Sequence, residues 1–333
     1  MAAKAGALRF NTDSLKLELY DGNQWVQIVG DSPEAQTGGT RGIIFPGYGG
    51  VGFNDTIEYV NIDSTGNSID FGNLTESRFN LANGVSSRTR GIMAGGENSA
   101  GPRSNVIDYI TISSTGDAIN FGDLTDDRFY PAGMSNSTRG IIAGGGIPAV
   151  TNLIDFITIA STGDATDFGD LTEAKQRLGA CQNSTRGVCV GGSGSPARVN
   201  TIEFITMSSQ GNASDFGDLN DGCQNLNSCS NSIRGLFGGR ISSPGTIVNT
   251  IDYITIATLG NSVDFGDLTT IRRGTGAASS STRGIFTCGN APGGTSNVID
   301  YVQIMTTGNA VDFGDATFTA GDGAALSNGH GGL

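Results

Sequence analysis

The sequence predicts an all-β fold in which six similar units of four short strands form a β-propeller. The first observation is an Arg-Gly pair followed by apolar residues, which recurs six times at spacings of 49, 49, 47, 48 and 49 residues. An I-[DE]-[YF] motif and a [DN]-F-G motif each recur six times in phase with it. Glycine contributes 53 of the 333 residues, more than twice the usual ~7%, which suits many tight turns between short strands.

Each unit is predicted to contain four strands, named a to d in chain order. A run of small residues such as 276–281 forms strand a, and a segment that ends in glycines, such as 139–145, forms strand b. The alternating β-branched and aromatic residues of segments such as 152–160 form strand c. A Thr-Gly turn and strand d follow, as in 161–171. Four strands in about 48 residues are typical of a propeller blade.

The repeated Arg of strand b and the acid of strand c are predicted to form a structural ion pair. One acid follows each Arg at an offset of 16–18 residues, which suits neighbouring strands. A ring of arginines that grips an anionic ligand is the alternative, but six identical copies favour a pair that specifies register. The predicted pairs are Arg41 with Glu58, Arg90 with Asp108, Arg139 with Asp155, Arg186 with Glu203, Arg234 with Asp252, and Arg283 with Asp300.

The Phe of each [DN]-F-G motif is predicted to fill the space between neighbouring blades, together with the aromatic residue of strand c. Its even recurrence is typical of a core position. The acids around it, for example Asp167 and Asp170, suggest either a calcium loop or a solvated turn, and their spacing favours the turn. The predicted blade aromatics are Phe71, Phe121, Phe168, Phe216, Phe265 and Phe313.

Charge and hydropathy argue against several classes of partner. The net charge of −13 disfavours binding to a phosphate backbone or to an anionic membrane surface. No run of ~18 apolar residues is present, so no membrane insertion is expected. Residues 1–14 lack the layout of a signal peptide, which indicates synthesis and folding in a cytoplasm.

The five cysteines do not suggest a disulfide framework or a zinc site, because their number is odd and no CxxC pair occurs. Cys181 and Cys229 occupy a strand a position that takes apolar residues in other units, and Cys189 occupies an apolar position of strand b. These three are predicted core residues. Cys223 and Cys288 have no equivalent assignment.

The residues for common enzyme chemistry are scarce, and we predict a protein without catalytic residues or cofactors. The only histidine is His330, so a metal site with several histidines is excluded, and Ser-His-Asp chemistry would depend on this one residue. A pair of carboxylates for glycoside hydrolysis stays open, because acids are abundant and carry no signature.

The two ends of the sequence predict a separate module and the closure of the ring. Residues 1–30 read as two β-hairpins, in which Tyr20 and Trp25 are candidate anchoring residues, and 31–39 form a linker. The propeller then spans 40–333, and residues 321–328 supply strand a of the first blade, which closes a six-bladed ring. His330 is read as a degenerate repeat Arg beside this closure, and a seven-bladed ring is the alternative.

The order of a small-residue strand, a strand that ends in Gly-Gly, a strand with Tyr or Phe and a strand with Phe resembles the Kelch repeat. More closely, "STRGIIAGGG" and "NLIDFITIASTGDATDFGDL" resemble the Kelch-like repeats of virion structural proteins from marine bacteriophages, such as cyanophages. The opening "LRFNT" with Tyr20 and Trp25 resembles the N-terminal modules of phage fibre proteins. The resemblance covers about residues 40–333.

This resemblance implies a non-enzymatic virion structural protein, such as a tail or head fibre, a knob or a capsid decoration. Residues 1–30 would attach it to other virion proteins, and fibre analogy suggests a homo-oligomer, with a trimer as the expectation. The loops between strands b and c differ most between units, so they are the expected surface for host glycan. A glycan depolymerase and a cellular Kelch-type interaction protein are the alternatives.

Overall fold

The protein is an all-β, six-bladed propeller with a separate three-stranded sheet near its N-terminus. The structure, a computed structural model, describes residues 4, 6–11, 16–20, 22–27, 39–45, 47–49, 52, 54–98, 103–146, 149–194 and 197–333. Within these residues there is no helix, and therefore none that could span a membrane.

The strands of the described residues are short, as the repeat predicts. In chain order they are β1 (Leu8–Asn11), β2 (Lys16–Tyr20), β3 (Trp25–Gln27), β4 (Arg41–Phe45), β5 (Tyr48–Gly49), β6 (Thr56–Asn61), β7 (Ile69–Asn73), β8 (Arg78–Phe79), β9 (Arg90–Ala94), β10 (Glu97–Asn98), β11 (Val106–Thr111), β12 (Ile119–Asp123), β13 (Ala132–Ser135), β14 (Arg139–Ala143), β15 (Leu153–Thr158), β16 (Thr166–Asp170), β17 (Gly179–Gln182), β18 (Arg186–Val190), β19 (Val199–Thr206), β20 (Ser214–Gln224), β21 (Asn227–Ser230), β22 (Arg234–Gly238), β23 (Arg240–Ser242), β24 (Thr246–Val248), β25 (Thr250–Thr255), β26 (Val263–Asp267), β27 (Gly276–Ser279), β28 (Arg283–Ala291), β29 (Gly294–Gln303), β30 (Val311–Gly321) and β31 (Ala324–Ser327).

Each blade is an antiparallel sheet whose strands a to d run from the inside of the ring to the outside. Strands a to d are β31, β4, β6 and β7 in blade 1, and β13 to β16 in blade 3. They are β17 to β20 in blade 4, β21, β22, β25 and β26 in blade 5, and β27 to β30 in blade 6. Blade 2 consists of segment 82–87, which hydrogen-bonds to β9, followed by β9, β11 and β12.

Two loops between strands b and c reach back to the preceding blade, and a third pairs beside strand a of its own blade. The short strand β5 of blade 1 pairs with β30 of blade 6, and β23 of blade 5 pairs with β20 of blade 4. In blade 2, β10 pairs with β8, which precedes strand a of the same blade. These loops therefore lie where each strand a begins.

The core is divided into clusters, six of which each join two neighbouring blades. Phe71 of blade 1 packs with Met93 and Ile110 of blade 2, and Phe121 of blade 2 packs with Ile142 of blade 3. Every blade aromatic is at most 3% exposed and meets the strand c aromatic edge-on, with ring centroids 6.0–6.3 Å apart. The prediction that these Phe residues fill the space between blades is confirmed.

The glycine of each [DN]-F-G motif allows a close contact between neighbouring outer strands. Gly72 has a φ of 151°, and a Cβ there would lie 2.4 Å from the carbonyl oxygen of Gly116 in the next blade. The amide of Gly116 in turn donates to the carbonyl oxygen of Phe71 over 2.8 Å. Gly72 is needed because a side chain there would have no space, whereas Gly116 suits its φ of 156°, which other residues rarely adopt.

The ring closes through strand β31, which is the predicted return of residues 321–328 to the first blade. Ala324 pairs with Phe45 and Ser327 with Gly42 in antiparallel register. Blade 1 thus gains a strand a, and the ring has six blades, so the seven-bladed alternative is wrong.

The N-terminal sheet has the order β1-β2-β3, as expected for two hairpins. Tyr20 pairs directly with Trp25, and their ring centroids are 5.3 Å apart. Arg9 lies 4.2 Å over the Trp25 ring and forms a 2.7 Å ion pair with Glu18. Nearly all of the predicted linker, 31–38, lies outside the described residues.

Candidate functional site at the central channel

The predicted ion pairs between the repeated Arg residues and the strand c acids are wrong. Arg41 lies opposite Asn61 in the sheet, whereas Glu58 lies opposite Ile44, three residues further along strand b. Three residues of a strand span ~10 Å, so the two charged groups cannot meet. The same holds for Arg90 with Asp108, Arg139 with Asp155, Arg186 with Glu203, Arg234 with Asp252, and Arg283 with Asp300.

The six arginines instead join each blade to the next. Each guanidinium lies over the aromatic ring of its own strand c, 4.4–5.1 Å from the centroid. Each also donates a hydrogen bond of 2.8–3.3 Å to a backbone carbonyl of the following blade. The acceptors form a closed series: Arg41 to Ile112, Arg90 to Ile159, Arg139 to Met207, Arg186 to Ile256, Arg234 to Ile304, and Arg283 to Ile62.

The strand c acids are buried and bind a different set of cations, which the sequence analysis missed. Arg78 is 2.6 Å from Asp108, and Arg272 is 2.7 Å from Asp300. Two further pairs are Arg128 with Asp155 and Lys175 with Glu203. A threonine hydroxyl also donates to each of these acids. The signal was present as an L-T-x-x-[RK] motif at 74–78, 124–128, 171–175 and 268–272.

The two unassigned cysteines lie where this motif is altered. Cys223 occupies the position of the motif cation, and Arg240 from the next blade supplies the charge, 2.5 Å from Asp252. In blade 6, Ala320 occupies the position of the motif cation, and Cys288 packs with Ala316 and Ala320. Burial raises the pKa of both thiols to about 12. Near Ala320, the acid Glu58 accepts hydrogen bonds from Ser68 and Thr317.

The six strands a line a central channel, and a ring of hydroxyl groups encircles this channel. Each serine hydroxyl in this ring donates to the backbone carbonyl of the preceding blade over 2.5–2.8 Å. Blade 4 has a glutamine at this position, so the ring lacks one of its six bonds. The ring positions in blade order are Ser327, Ser86, Ser135, Gln182, Ser230 and Ser279.

His330 fills the gap in this ring, and its interpretation as a degenerate repeat Arg is wrong. The imidazole lies inside the channel, 5% exposed, with Nδ1 2.9 Å from Gln182 Nε2 and Nε2 3.2 Å from Ser135 Oγ. Residues 328–333, here named the tail, leave blade 1 after Ser327 and enter the channel, where a Cβ on Gly332 would lie 2.0 Å from the Ser135 carbonyl oxygen. Burial lowers the pKa of His330 to about 4.

The opposite end of the channel, here named the mouth, is encircled by one residue from each blade. The backbone amide of each residue donates to the carbonyl of the residue before it over 2.8–3.2 Å, and the sixth bond closes the circle. All six have φ between 57° and 60°, the left-handed region. In blade order they are Asp322, Asn80, Tyr130, Arg177, Asn225 and Gly274.

The side chains at the mouth form one hydrogen-bonded group. Arg177 lies 4.1 Å over the ring of Tyr130 and donates to the Asn225 side chain over 3.3 Å. Asn225 donates to Asp322 over 2.9 Å, as does Asn290 near the end of β28. Burial raises the pKa of Asp322, opposed by nearby arginines, and raises that of Tyr130 to about 12.

These side chains surround a shallow depression that is open to solvent. Leu81, Leu178 and Leu226 contribute to its lining beneath the polar groups. The b–c loops reach the same end, because Asn80 donates to Glu97 of β10 over 3.1 Å. The sequence analysis missed the mouth residues, which lie two positions after the motif cation and vary although the neighbouring motif is largely constant.

Among the described residues, no group of three or more His, Cys, Asp and Glu side chains is arranged to hold a metal ion. Comparison of the sequence with protein-family models and with curated proteins gives no match.

Proposed function

We propose that this chain is a non-enzymatic structural protein of a bacteriophage virion, a fibre tip, knob or decoration that binds glycan on the host surface. The observation that carries the proposal is the separation of constant from variable residues. The repeated residues form closed rings of bonds between blades, as the series of Arg guanidinium bonds illustrates. The variable mouth residues and b–c loops lie together at one end of this frame. Variable loops on a rigid scaffold are a typical recognition surface.

The N-terminal sheet is the proposed attachment to other virion proteins. Tyr20, Trp25 and Arg9 stack on one another across three strands. Aromatic and Arg side chains are enriched at the centres of protein interfaces. In this proposal the sheet attaches the protein and mediates a homo-oligomer, a trimer by fibre analogy, while the propeller remains exposed.

The attachment is tested by deleting residues 1–30 and measuring the protein in purified phage particles by quantitative mass spectrometry. We expect loss of incorporation while the isolated propeller stays folded by circular dichroism. The double variant Tyr20→Ala and Trp25→Ala tests the aromatic pair with the rest of the sheet retained. Incorporation at the wild-type level by both variants would contradict the attachment role.

The non-enzymatic role is tested on the same purified protein with bacterial surface polysaccharides. Binding without release of reducing sugar is expected. Release of reducing sugar would favour the alternative function, a glycan depolymerase, in which two of the abundant carboxylates act as acid and base.

A further inference from the structure

The backbone of the mouth is the same in all six blades, whereas the side chains at these positions differ. We propose that Tyr130, Arg177, Asn225 and Asp322 form a binding site for a single neutral sugar residue with adjacent hydroxyl groups. This inference rests on the proposed glycan-binding role and assigns it to particular residues. The b–c loops would then surround the site rather than form it.

The backbone of the mouth does not require these side chains. All six positions share one left-handed conformation and one closed circle of backbone hydrogen bonds. Gly274 fills its position without a side chain, and Asn and Asp adopt this conformation more readily than other residues. Tyr130 and Arg177 are unfavourable there. Strained residues of this kind cluster at functional sites.

The contacts of Tyr130 and Arg177 show that their side chains are held together toward the mouth. Arg177 lies over the Tyr130 ring and reaches Asn225, which in turn binds Asp322. Four of the six positions are thus joined into a preorganised polar arc around the depression. A rigid arc of this kind limits the entropy lost on binding.

The chemistry of the arc fits a polyhydroxylated, uncharged ligand. A carboxylate accepts two hydrogen bonds, a guanidinium donates two in parallel, and an amide both donates and accepts. Adjacent sugar hydroxyls offer the matching pair of groups. The charges near the mouth balance, because Arg177 and Arg273 offset Asp322 and Glu97, which does not favour an ion. The depression is shallow and open to solvent, which suits a single sugar ring that stays partly exposed when bound.

The test compares the effects of glycine on stability and on binding. In Tyr130→Gly and Arg177→Gly, relief of the left-handed backbone offsets part of the lost side-chain packing, so we expect only a small change in Tm. Binding to an array of defined oligosaccharides and purified bacterial surface polysaccharides should fall at least tenfold in both. The methyl glycoside of the terminal sugar of the bound glycan should compete with binding to wild-type protein.

Two control variants separate this inference from the broader proposal. Ile119→Thr, on the exposed outer strand of blade 2, should leave binding unchanged. Thr246→Trp, at the exposed tip of a b–c hairpin, should weaken binding only to large glycans. Wild-type binding in both mouth variants, each shown to be folded by its thermal transition, would overturn the site. If only Thr246→Trp abolishes binding, the mouth site is overturned but the proposal of glycan recognition stands. If the wild-type protein binds no glycan, both the mouth site and the proposed function are overturned.

Discussion

The Nε2 atom of Gln182 lies 2.9 Å from Nδ1 of His330, inside the channel where the ring of serine hydroxyls is interrupted. The Gly332 amide also donates to this Nδ1, over 3.1 Å. The other ring nitrogen, Nε2, faces the Ser86 carbonyl oxygen at 3.2 Å. Two donors at Nδ1 and a carbonyl at Nε2 assign the neutral tautomer with the proton on Nε2. Protonation of Nδ1 would place a proton between two donors.

Stability should therefore fall as the solution becomes acidic. Burial lowers the pKa of His330 in the folded protein to about 4, from the ordinary 6.5, so the unfolded chain binds the proton first. The contribution of the neutral imidazole is complete above pH ~6.5 and is lost as the pH falls toward ~4, by roughly 3 kcal/mol at most. Urea unfolding at pH 7 and pH 5 measures it.

The control for this pH dependence is His330→Gln, which keeps a polar side chain but does not titrate. Part of the loss of stability between pH 7 and pH 5 should disappear in this variant. The carboxylates are common to both proteins and cancel in the comparison. An identical pH dependence in the two proteins would show that His330 does not contribute.

Because β31 closes the ring, truncation of its buried residue Leu326 should strongly destabilise the protein. Leu326 is 1% exposed and packs with Ile43 and Met93. Leu326→Ala should lower the free energy of unfolding by about 2–5 kcal/mol. Leu259→Ala removes the same atoms at a position that is 60% exposed and should change it by less than ~0.5 kcal/mol. Equal effects in thermal and urea unfolding would mean that β31 does not close the ring.

Because Arg240 replaces the motif cation that is missing at Cys223, a cation introduced at Cys223 should rescue the loss of Arg240. Arg240→Ala leaves the buried carboxylate of Asp252 without its cation, which should cost about 3–5 kcal/mol. Adding Cys223→Arg restores the cation at the position used in four other blades and should recover at least half of the loss. Urea unfolding of the single and double variants measures both. If the double variant is less stable than Arg240→Ala, Cys223 does not occupy the motif position.

The thiols should be unreactive in the folded protein. All five cysteines are buried, and burial raises the pKa of Cys229, like that of Cys223 and Cys288, to about 12. An aromatic disulfide reagent at pH 8 should release no chromophore within minutes, because thiolate is the attacking form. In urea, all five should react. Rapid reaction of any thiol in the native protein would contradict the burial.

The strand positions and the blade aromatics were predictable because each repeated motif has one structural role in every blade. The period places Phe71 and its equivalents at the same cluster position, and the structure confirms it. The partners of Arg41 and Glu58 were not predictable from their spacing. A constant offset shows that two residues are in fixed positions, but the register decides whether they meet.

The other features that the sequence did not lead us to predict have specific causes. The L-T-x-x-[RK] motif was as regular as the others, so its pairing with the strand c acids was available from the sequence. His330 follows Arg283 by 47 residues, which suggests the position of a repeat Arg. Ser327, however, is the equivalent of Ser279, 48 residues earlier, so the register of β31 differs by one residue. The chain leaves the blade after Ser327, and no local pattern signals that turn into the channel. The mouth residues carry no motif of their own.

Closure by β31 has a consequence for how the chain could be ordered. Blade 1 takes one strand from late in the sequence and three from its beginning, while the bonds between blades follow one cyclic pattern around the ring. The ring therefore has no structurally privileged first blade. Circular permutants that open at another a–b turn and join 327 to 41 through a short linker would lose the tail with His330 but keep the direct bonds between blades, so the position of the seam is set by the gene rather than by the fold.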